Sequence, residues 1–307
     1  MFLVQSAVLM CLLTGQSSSK PATSLQVAIT IDDLPFVGEH RDFQTMFANT
    51  KALLRPIREA KVPAIGFVVG GGADNLPKSE QRRLLQLWLD AGCELGNHTW
   101  THADLDAMSV TDYEAQIMKT DQYLHELLDP VKVDFFRSPY LNDGKNRETK
   151  EELQSFLRSQ SYKEAPVTID MDEFYFAGAY DKAVNKGDLA TASRIERTYL
   201  PYVDKAIRYF EGQSVRVFGR VCSQVILLHA HYLNAKMMPA ILDLFRRRHY
   251  RFVSLREAIS DPAYRTPDKY YGSGGISWIY RWELGKGMSA TWPLSPPDWI
   301  VRLNAQK

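Results

Sequence analysis

The sequence is poor in cysteine, has no long basic run and carries almost equal numbers of the two charges. Only three of its 307 residues are cysteine, and none forms a Cys-x-x-Cys pair. A metal site would therefore need nitrogen and oxygen ligands. Lys and Arg total 37 against 36 Asp and Glu, a formal net charge of +1. This balance gives no support for nucleic acid or another polyanion as a partner, and it favours a neutral or weakly charged substrate.

A short apolar stretch over residues 1–16 gives way to serines, a lysine and a proline. It is too short to span a bilayer and is typical of a secretory signal peptide. We therefore expect residues 1–20 to be removed, leaving a secreted or periplasmic protein with no stable membrane insertion. A buried N-terminal strand or helix is the alternative. Met10 before Cys11 fits a lipoprotein cleavage box poorly, so lipid anchoring is not expected.

Strand-like and helix-like segments alternate along the rest of the chain. The β-branched run Val27–Ile31 is stopped by two acids, and a helical stretch follows from about Phe43 to Ala60. Later units include a strand predicted over 165–169 and a helix predicted over 191–210. Repeated β-then-α units imply parallel strands with helical crossovers. About seven such units predict one domain with a barrel rather than an open sheet.

Polar groups suited to chemistry follow five of the predicted strands. These groups are the Asp32–Asp33 pair, His98, Arg137, Asp170 and His229. In barrels of parallel strands, functional groups lie on the loops after the carboxyl ends of the strands. The shared position of these groups therefore predicts a single functional site.

Two histidines four residues apart form the most specific local motif. On a helical turn, His98 and His102 would face the same way and could share one cation. A pair of surface or capping histidines in a loop is the alternative. Asp32 and Asp33 strengthen the metal hypothesis, because neighbouring residues leaving a strand point to different sides. One carboxylate could complete the metal ligands and the other could act as a base on water, although an ordinary turn or helix N-cap also explains such a pair.

An imidazole and a guanidinium follow two other apolar strands. His229 ends the run Val225–Leu228, a rigid position for a general acid, with a satisfied core histidine as the alternative. His231 is interpreted as secondary. Arg137 could orient a catalytic carboxylate, and a backbone N–H beyond Pro139 could face a developing oxyanion. A structural ion pair at the barrel rim is the alternative for the arginine.

Taken in order, five stretches resemble the motifs of the polysaccharide deacetylases, carbohydrate esterase family four, whose fold is often called the NodB homology domain. The stretches are Thr30–Asp33, His98–His102, Arg137–Tyr140, Asp170–Phe174 and Ile226–His229. The resemblance implies a distorted (β/α)7 barrel, which we place over residues 24–262. It also implies removal of acetyl groups from carbohydrate, either an N-acetyl amino sugar of the peptidoglycan or chitin type or an O-acetyl glycan.

By the same resemblance, Asp32 is the general base and His229 the general acid, and Asp33, His98 and His102 bind the metal. The expected cation is zinc, with cobalt, manganese and nickel as alternatives. The oligomeric state is not readable from the sequence.

Supporting roles follow from the same motifs. The resemblance implies that Arg137 holds Asp32 and that the backbone N–H of Tyr140, after Pro139, contacts the oxyanion. An acid of the fourth motif would pair with that arginine or tune His229. The candidates for this acid are Asp170, Asp172 and Glu173.

The chain departs from the family pattern at two positions, and two other functions compete. Leu34 stands where the family usually has Gly after the two acids, and the fourth motif offers Glu173-Phe174 in place of Asp-Trp.

A cyclic amide or ureide hydrolase on the same fold is one alternative function, but such enzymes commonly lack the full metal set. A catalytically silent sugar-binding module is the other, and the presence of both Asp32 and His229 argues against it.

The composition changes after residue 262. Residues 263–307 hold four of the six tryptophans, among glycines and prolines. These tryptophans are Trp278, Trp282, Trp292 and Trp299. Aromatic side chains can stack on sugar rings, but they more often anchor irregular segments, so we expect this tail to pack on the barrel and seal one face. Whether Cys93 and Cys222 pair stays open at this stage.

Overall fold

The computed structural model describes residues 24–289 and 294–306, which contain seven strands and ten α-helices. The strands are β1 (Gln26–Leu34), β2 (Ile65–Val68), β3 (Glu94–Asn97), β4 (Phe135–Phe136), β5 (Lys163–Glu164), β6 (Gln224–His229) and β7 (Arg251–Phe252). The helices are α1 (Phe43–Glu59), α2 (Lys78–Asp90), α3 (Val110–Leu128), α4 (Arg147–Ser159), α5 (Phe174–Asn185), α6 (Leu189–Phe218), α7 (Tyr232–Arg247), α8 (Leu255–Ala258), α9 (Trp278–Gly285) and α10 (Asp298–Ala305). The predicted signal peptide and Trp292 lie outside the described residues.

All strand pairs are parallel, in the order β5-β4-β3-β2-β1-β6, and β7 pairs with the first residues of β1. The central strand β1 is buried from Val27 to Ile31. A strand covered on both faces favours an unbroken β-branched run over an alternating pattern, which is the sequence seen here. The molecule is the distorted (β/α)7 barrel that the resemblance implies.

Residues 163–169, here named the closing segment, contact both edges of the sheet. The segment begins as β5 on β4, and at its other end Ile169 forms a parallel bridge with Ile226 of β6. Pro166 lies between these two contacts and has no N–H to donate, so a regular strand cannot run through it. The strand predicted over 165–169 is therefore wrong as a regular element, although the same residues complete the barrel.

Three other boundaries differ from the sequence prediction. Strand β1 continues through both aspartates to Leu34 instead of ending before them. The sequence did not indicate α5, and α6 begins before and ends well after the predicted span of 191–210. Helix α6 ends at Gly219, which has a φ of 71° in the left-handed conformation. Glycine commonly terminates helices in this way, so the helix runs past residue 210 to this position.

The C-terminal residues contact the barrel at the closing segment. Trp278 N–H donates to Val167 O (2.7 Å), and Ser277 Oγ donates to Thr168 O (2.7 Å). Trp278 and Trp282 are buried. Within the part of the chain that the structure describes, no helix has the length and apolarity that a bilayer crossing needs.

The two cysteines that the sequence left open are Cys93 and Cys222. Both are buried, and both are free thiols. They therefore contribute to the core as small apolar side chains rather than as a disulfide.

Gly66 on β2 gives a test of the packing under the site. An added Cβ would lie 2.5 Å from Leu34 Cδ2 and 2.9 Å from the Trp88 ring. We expect Gly66→Ala to lower the free energy of unfolding by about 1–3 kcal/mol, measured by urea denaturation. The control is Gly212→Ala on α6, where an added Cβ meets nothing within 4 Å. It should raise the same free energy by about 0.5–1 kcal/mol, and equal effects of the two variants would contradict this account of the barrel interior.

Candidate functional site

Asp33, His98 and His102 bring one oxygen and two nitrogen atoms together. Asp33 Oδ1 lies 3.4 Å from His98 Nε2 and 3.3 Å from His102 Nε2. All three candidate ligand atoms lie within 4.8 Å of one another. Residues from β1 and from the loop after β3 thus meet at the carboxyl ends of two parallel strands that have β2 between them.

A bulge in β1 directs its two aspartates. The register between β1 and β2 shifts between Ile31 and Leu34, and Asp33 has a φ of 64°. Bulges of this kind re-aim side chains and are common beside active sites. As a result, Asp33 faces the two imidazoles while Asp32 faces the barrel interior, where its side chain is 3% exposed.

The loop from His98 to His102 is not helical, so the helical turn assumed from the spacing is wrong. Thr99 and His102 have φ values of 64° and 54°. Two side-chain bonds fix the loop: Asn97 Oδ1 accepts from Thr99 N (3.0 Å), and Thr99 Oγ1 accepts from Ala103 N (3.0 Å). The imidazoles converge because of this loop conformation and not because of helical periodicity.

The donor set fits a divalent cation. His98 Nδ1 lies 2.7 Å from Arg137 O, and because a carbonyl only accepts, the hydrogen belongs to Nδ1 and leaves the Nε2 lone pair toward Asp33. Asp33 Oδ1 is buried and has no hydrogen-bond partner among the described residues. Burial tends to raise the pKa of Asp33, but the neighbouring His98, His229 and His102 hold it well below its usual range. A buried, ionised and unpartnered oxygen beside two imidazole nitrogens is the set that zinc and similar ions prefer.

Arg137 anchors Asp32 inside the barrel. Its Nη1 donates to Asp32 Oδ1 (2.8 Å) and to Thr30 Oγ1 (2.7 Å), and its Nε and Nη2 donate to the closing-segment carbonyls of Ala165 (3.2 Å) and Pro166 (3.3 Å). The guanidinium is fully buried. Asp32 Oδ2 is left toward His98, 3.8 Å from its Nε2. Arg137 therefore fixes one oxygen of Asp32 and leaves the other toward the candidate metal site.

The sheet register brings His229 beside Asp32. The two are partners in the β1–β6 pairing. His229 Nδ1 lies 3.4 Å from Glu173 Oε1, which also accepts from the His229 backbone N–H (2.8 Å). Burial alone would lower the pKa of His229, but the Glu173 carboxylate raises it to about 10. Of the three acids left open by the sequence, Glu173 is the one in contact with His229.

Glu173 is itself held by residues that the sequence reasoning missed. His231 Nε2 lies 3.0 Å from Glu173 Oε2, and Asn234 Nδ2 donates to Glu173 Oε1 (2.7 Å). Asn234 N–H donates to His231 Nδ1 (3.2 Å), and Tyr199 OH donates to Asn234 Oδ1 (2.9 Å). The only signal for this network was the His-x-His spacing at the end of β6, where His231 was interpreted as secondary.

The other candidates line or adjoin the same cavity of about 500 Å³. Burial and the neighbouring Asp172 raise the pKa of Asp170 to about 6, and both side chains line the cavity. Pro139 begins the short helical turn Pro139–Leu141 and is buried. Tyr140 is 58% exposed, and the centroid of its ring lies 4.5 Å from the centroid of the His102 ring. The predicted site residues therefore line one cavity, except Arg137 and Pro139, which are buried and do not line it.

Removing the Arg137 guanidinium would leave Asp32 as a buried, unpaired charge. We expect Arg137→Met to lower the free energy of unfolding by about 3–5 kcal/mol, measured by urea denaturation. Arg147→Met is the matched control, since Arg147 pairs with Glu151 on the surface of α4 with 74% of its side chain exposed. The control should leave stability unchanged. A similarly small effect at both positions would show that Arg137 does not hold the interior together.

Comparison with known proteins finds sequence and fold similarity to deacetylases. The sequence profile of the polysaccharide deacetylases matches residues 19–156 and ends before Glu173 and His229. A chitooligosaccharide deacetylase of Sinorhizobium fredii is 33% identical over 91 residues, 30% of this chain and 40% of that protein. A peptidoglycan-N-acetylglucosamine deacetylase of Bacillus cereus is 30% identical over 122 residues, 40% of this chain and 38% of that protein. The chain thus spans about two-fifths of the length of these relatives.

Among solved structures, a CE4 family pseudoenzyme from Bacillus anthracis superposes with a TM-score of 0.54 at 15% identity, covering 77% of this chain and 66% of that one. At that identity the likeness shows the fold alone. The profile match covers the first half of the barrel, which contributes Asp32, Asp33, His98 and His102. Residues 19–156, a little under half of this chain, are thus similar to the polysaccharide deacetylase family.

Proposed function

We propose that this chain is a metal-dependent hydrolase that removes acetyl groups from carbohydrate. The observation that carries the proposal is the meeting of Asp33, His98 and His102 in one cavity with Asp32 and His229. A fold shared with a pseudoenzyme does not decide activity, so the proposal depends on these side chains and not on the barrel. The names of the relatives favour N-acetylated glycans of the chitooligosaccharide or peptidoglycan type.

Asp33, His98 and His102 would hold the cation, with zinc as the expected ion. When bound, such an ion supplies Lewis acidity, polarising an acyl carbonyl and lowering the pKa of water. Asp32 would accept a proton from the attacking water through Oδ2, since Arg137 occupies its Oδ1. The same guanidinium keeps the carboxylate from rotating away, which fixes the direction of proton transfer.

His229 would supply the proton that the leaving group needs. Water adds its hydroxyl to the acetyl carbon, the bond from that carbon to the sugar nitrogen or oxygen breaks, and acetate departs. The sugar nitrogen or oxygen takes its proton from His229 while Glu173 holds the imidazole by its Nδ1 side. The Tyr140 backbone N–H, in the turn beside His102, is the proposed donor to the oxyanion.

We also propose that the chain acts outside the cytoplasm after loss of residues 1–20. The support is the apolar stretch followed by small polar residues at the start of the sequence. In this reading residues 24–262 are the catalytic domain and residues 263–307 a tail that packs on it.

Metal binding tests the first requirement of the proposal. Purified protein dialysed against zinc should retain one equivalent, and His102→Ala should weaken the affinity by at least about 100-fold, because a two-ligand site remains. His125→Ala is the control, since His125 is exposed on α3. Equal zinc retention by the wild type and His102→Ala, measured by equilibrium dialysis and elemental analysis, would exclude the proposed ligand set.

Acetate release tests the chemistry. We expect acetate from N-acetylglucosamine oligomers or from acetylated xylan, and we expect Asp32→Asn to bind zinc normally while kcat falls by about 10²–10⁴-fold, because the amide cannot accept the proton. Asp90→Asn, at the exposed end of α2, is the control. Full turnover in Asp32→Asn would refute its role as base. Bound zinc with no acetate from any acetylated glycan would favour a cyclic amide hydrolase or a sugar-binding module.

A further inference from the structure

The turn that carries Tyr140 is held in an unfavourable conformation beside the candidate metal site. Tyr140 and Leu141 have φ values of 56° and 53°, in a backbone region that residues other than glycine rarely adopt. Both residues line the cavity. Such a backbone persists only when its surroundings fix it.

The contacts that fix this turn come from the C-terminal residues. Arg281 on α9 donates from Nη2 to Leu141 O (2.5 Å) and from Nη1 to Asp143 Oδ2 (2.6 Å). Gly275 N–H donates to Tyr140 O (3.0 Å). The two carbonyls of the left-handed residues therefore both accept from a segment more than 130 positions further along the chain.

Arg281 belongs to a buried charge cluster that makes its position rigid. Its Nη1 also contacts Asp268 Oδ2 (2.8 Å), and Lys150 Nζ contacts both Asp143 (2.9 Å) and Asp268 (2.6 Å). Burial and the charge of Asp143 raise the pKa of the adjacent Glu164 to about 8. Two cations thus face two carboxylates. The Arg281 and Lys150 side chains are 0% and 3% exposed.

We propose that Arg281 is a positioning residue that holds the Tyr140 turn against the cavity. The proposal rests on the proposed function, in which this turn faces the developing oxyanion. Residues 275–281 thereby become part of the active unit rather than a covering for the barrel. The guanidinium is suited to this role, because its planar fork bonds a carbonyl and a carboxylate in two fixed directions, which an ammonium cannot do.

The test compares Arg281→Lys with Glu283→Gln on the same helix. Glu283 is fully buried and pairs with Arg216, and it does not line the cavity. We expect Arg281→Lys to lower kcat by about 10²-fold with zinc affinity unchanged, because the turn shifts while the metal ligands do not. Glu283→Gln should keep its kcat even if it loses comparable thermal stability. Hydrogen exchange at the amides of residues 140–142 should accelerate in Arg281→Lys alone.

A second variant covers the case in which Arg281→Lys fails to fold. A Cβ on Gly275 would collide with the backbone of Leu141, whereas Gly275 lies outside the charge cluster. Gly275→Ala should therefore lower kcat in the same way by displacing the turn. Unchanged kcat and unchanged exchange in whichever of the two variants folds would overturn the proposal. If the wild type releases no acetate, the proposed function fails, and the exchange rates alone decide whether Arg281 holds the turn.

Discussion

The hydrogen bonds of the buried Arg137 guanidinium are the interactions on which the rest of the structure depends. A cation removed from water must find partners for its five N–H groups, or the cost of burial is several kcal/mol. Arg137 makes four such bonds, to Asp32 and Thr30 of β1 and to two carbonyls of the closing segment. Its own carbonyl accepts from His98. Satisfying one charge therefore joins the first strand, the loop after β3 and the segment that completes the barrel.

This arrangement separates two adjacent and chemically identical carboxylates. Asp32 is bound by a guanidinium and is buried, whereas Asp33 lies past a bulge and has its buried oxygen beside two imidazoles. The difference in surroundings, rather than in residue type, is what gives the two acids different proposed roles. A similar separation appears at the end of β6, where both His229 and His231 contact Glu173, but the side chain of His229 is 18% exposed and that of His231 is 4% exposed.

The sequence was sufficient for the parts of the molecule that depend on local pattern. The strand β1, the alternation of strands and helices and the position of Asp33, His98 and His229 at the carboxyl ends of β1, β3 and β6 follow from hydrophobic periodicity. The convergence of His98 and His102 was expected for the wrong reason, since the helical turn is absent. Its real cause is a pair of left-handed residues held by Asn97 and Thr99, which spacing alone does not reveal.

Other features depend on contacts between distant residues and could not be predicted. Of the three nearby acids, Glu173 is the one that contacts His229, and it is held there by His231, which follows β6, and by Asn234 of α7. The closing segment has two partners because β4 and β6 flank it in space. The partners of Arg281 come from two parts of the chain, Leu141 with Asp143 and the distant Asp268, that no local pattern connects.

The position of β1 in the chain has a consequence for synthesis. It is the first strand, yet its neighbours β6 and β7 begin at Gln224 and Arg251, so almost 200 residues separate the two sides of one ladder. A nascent chain leaves the ribosome with its N-terminal residues first, and contacts between distant residues form late. Until β6 emerges, one edge of β1 has no strand to pair with. During that interval the apolar run Val27–Ile31 has an unpaired edge that is open to aggregation.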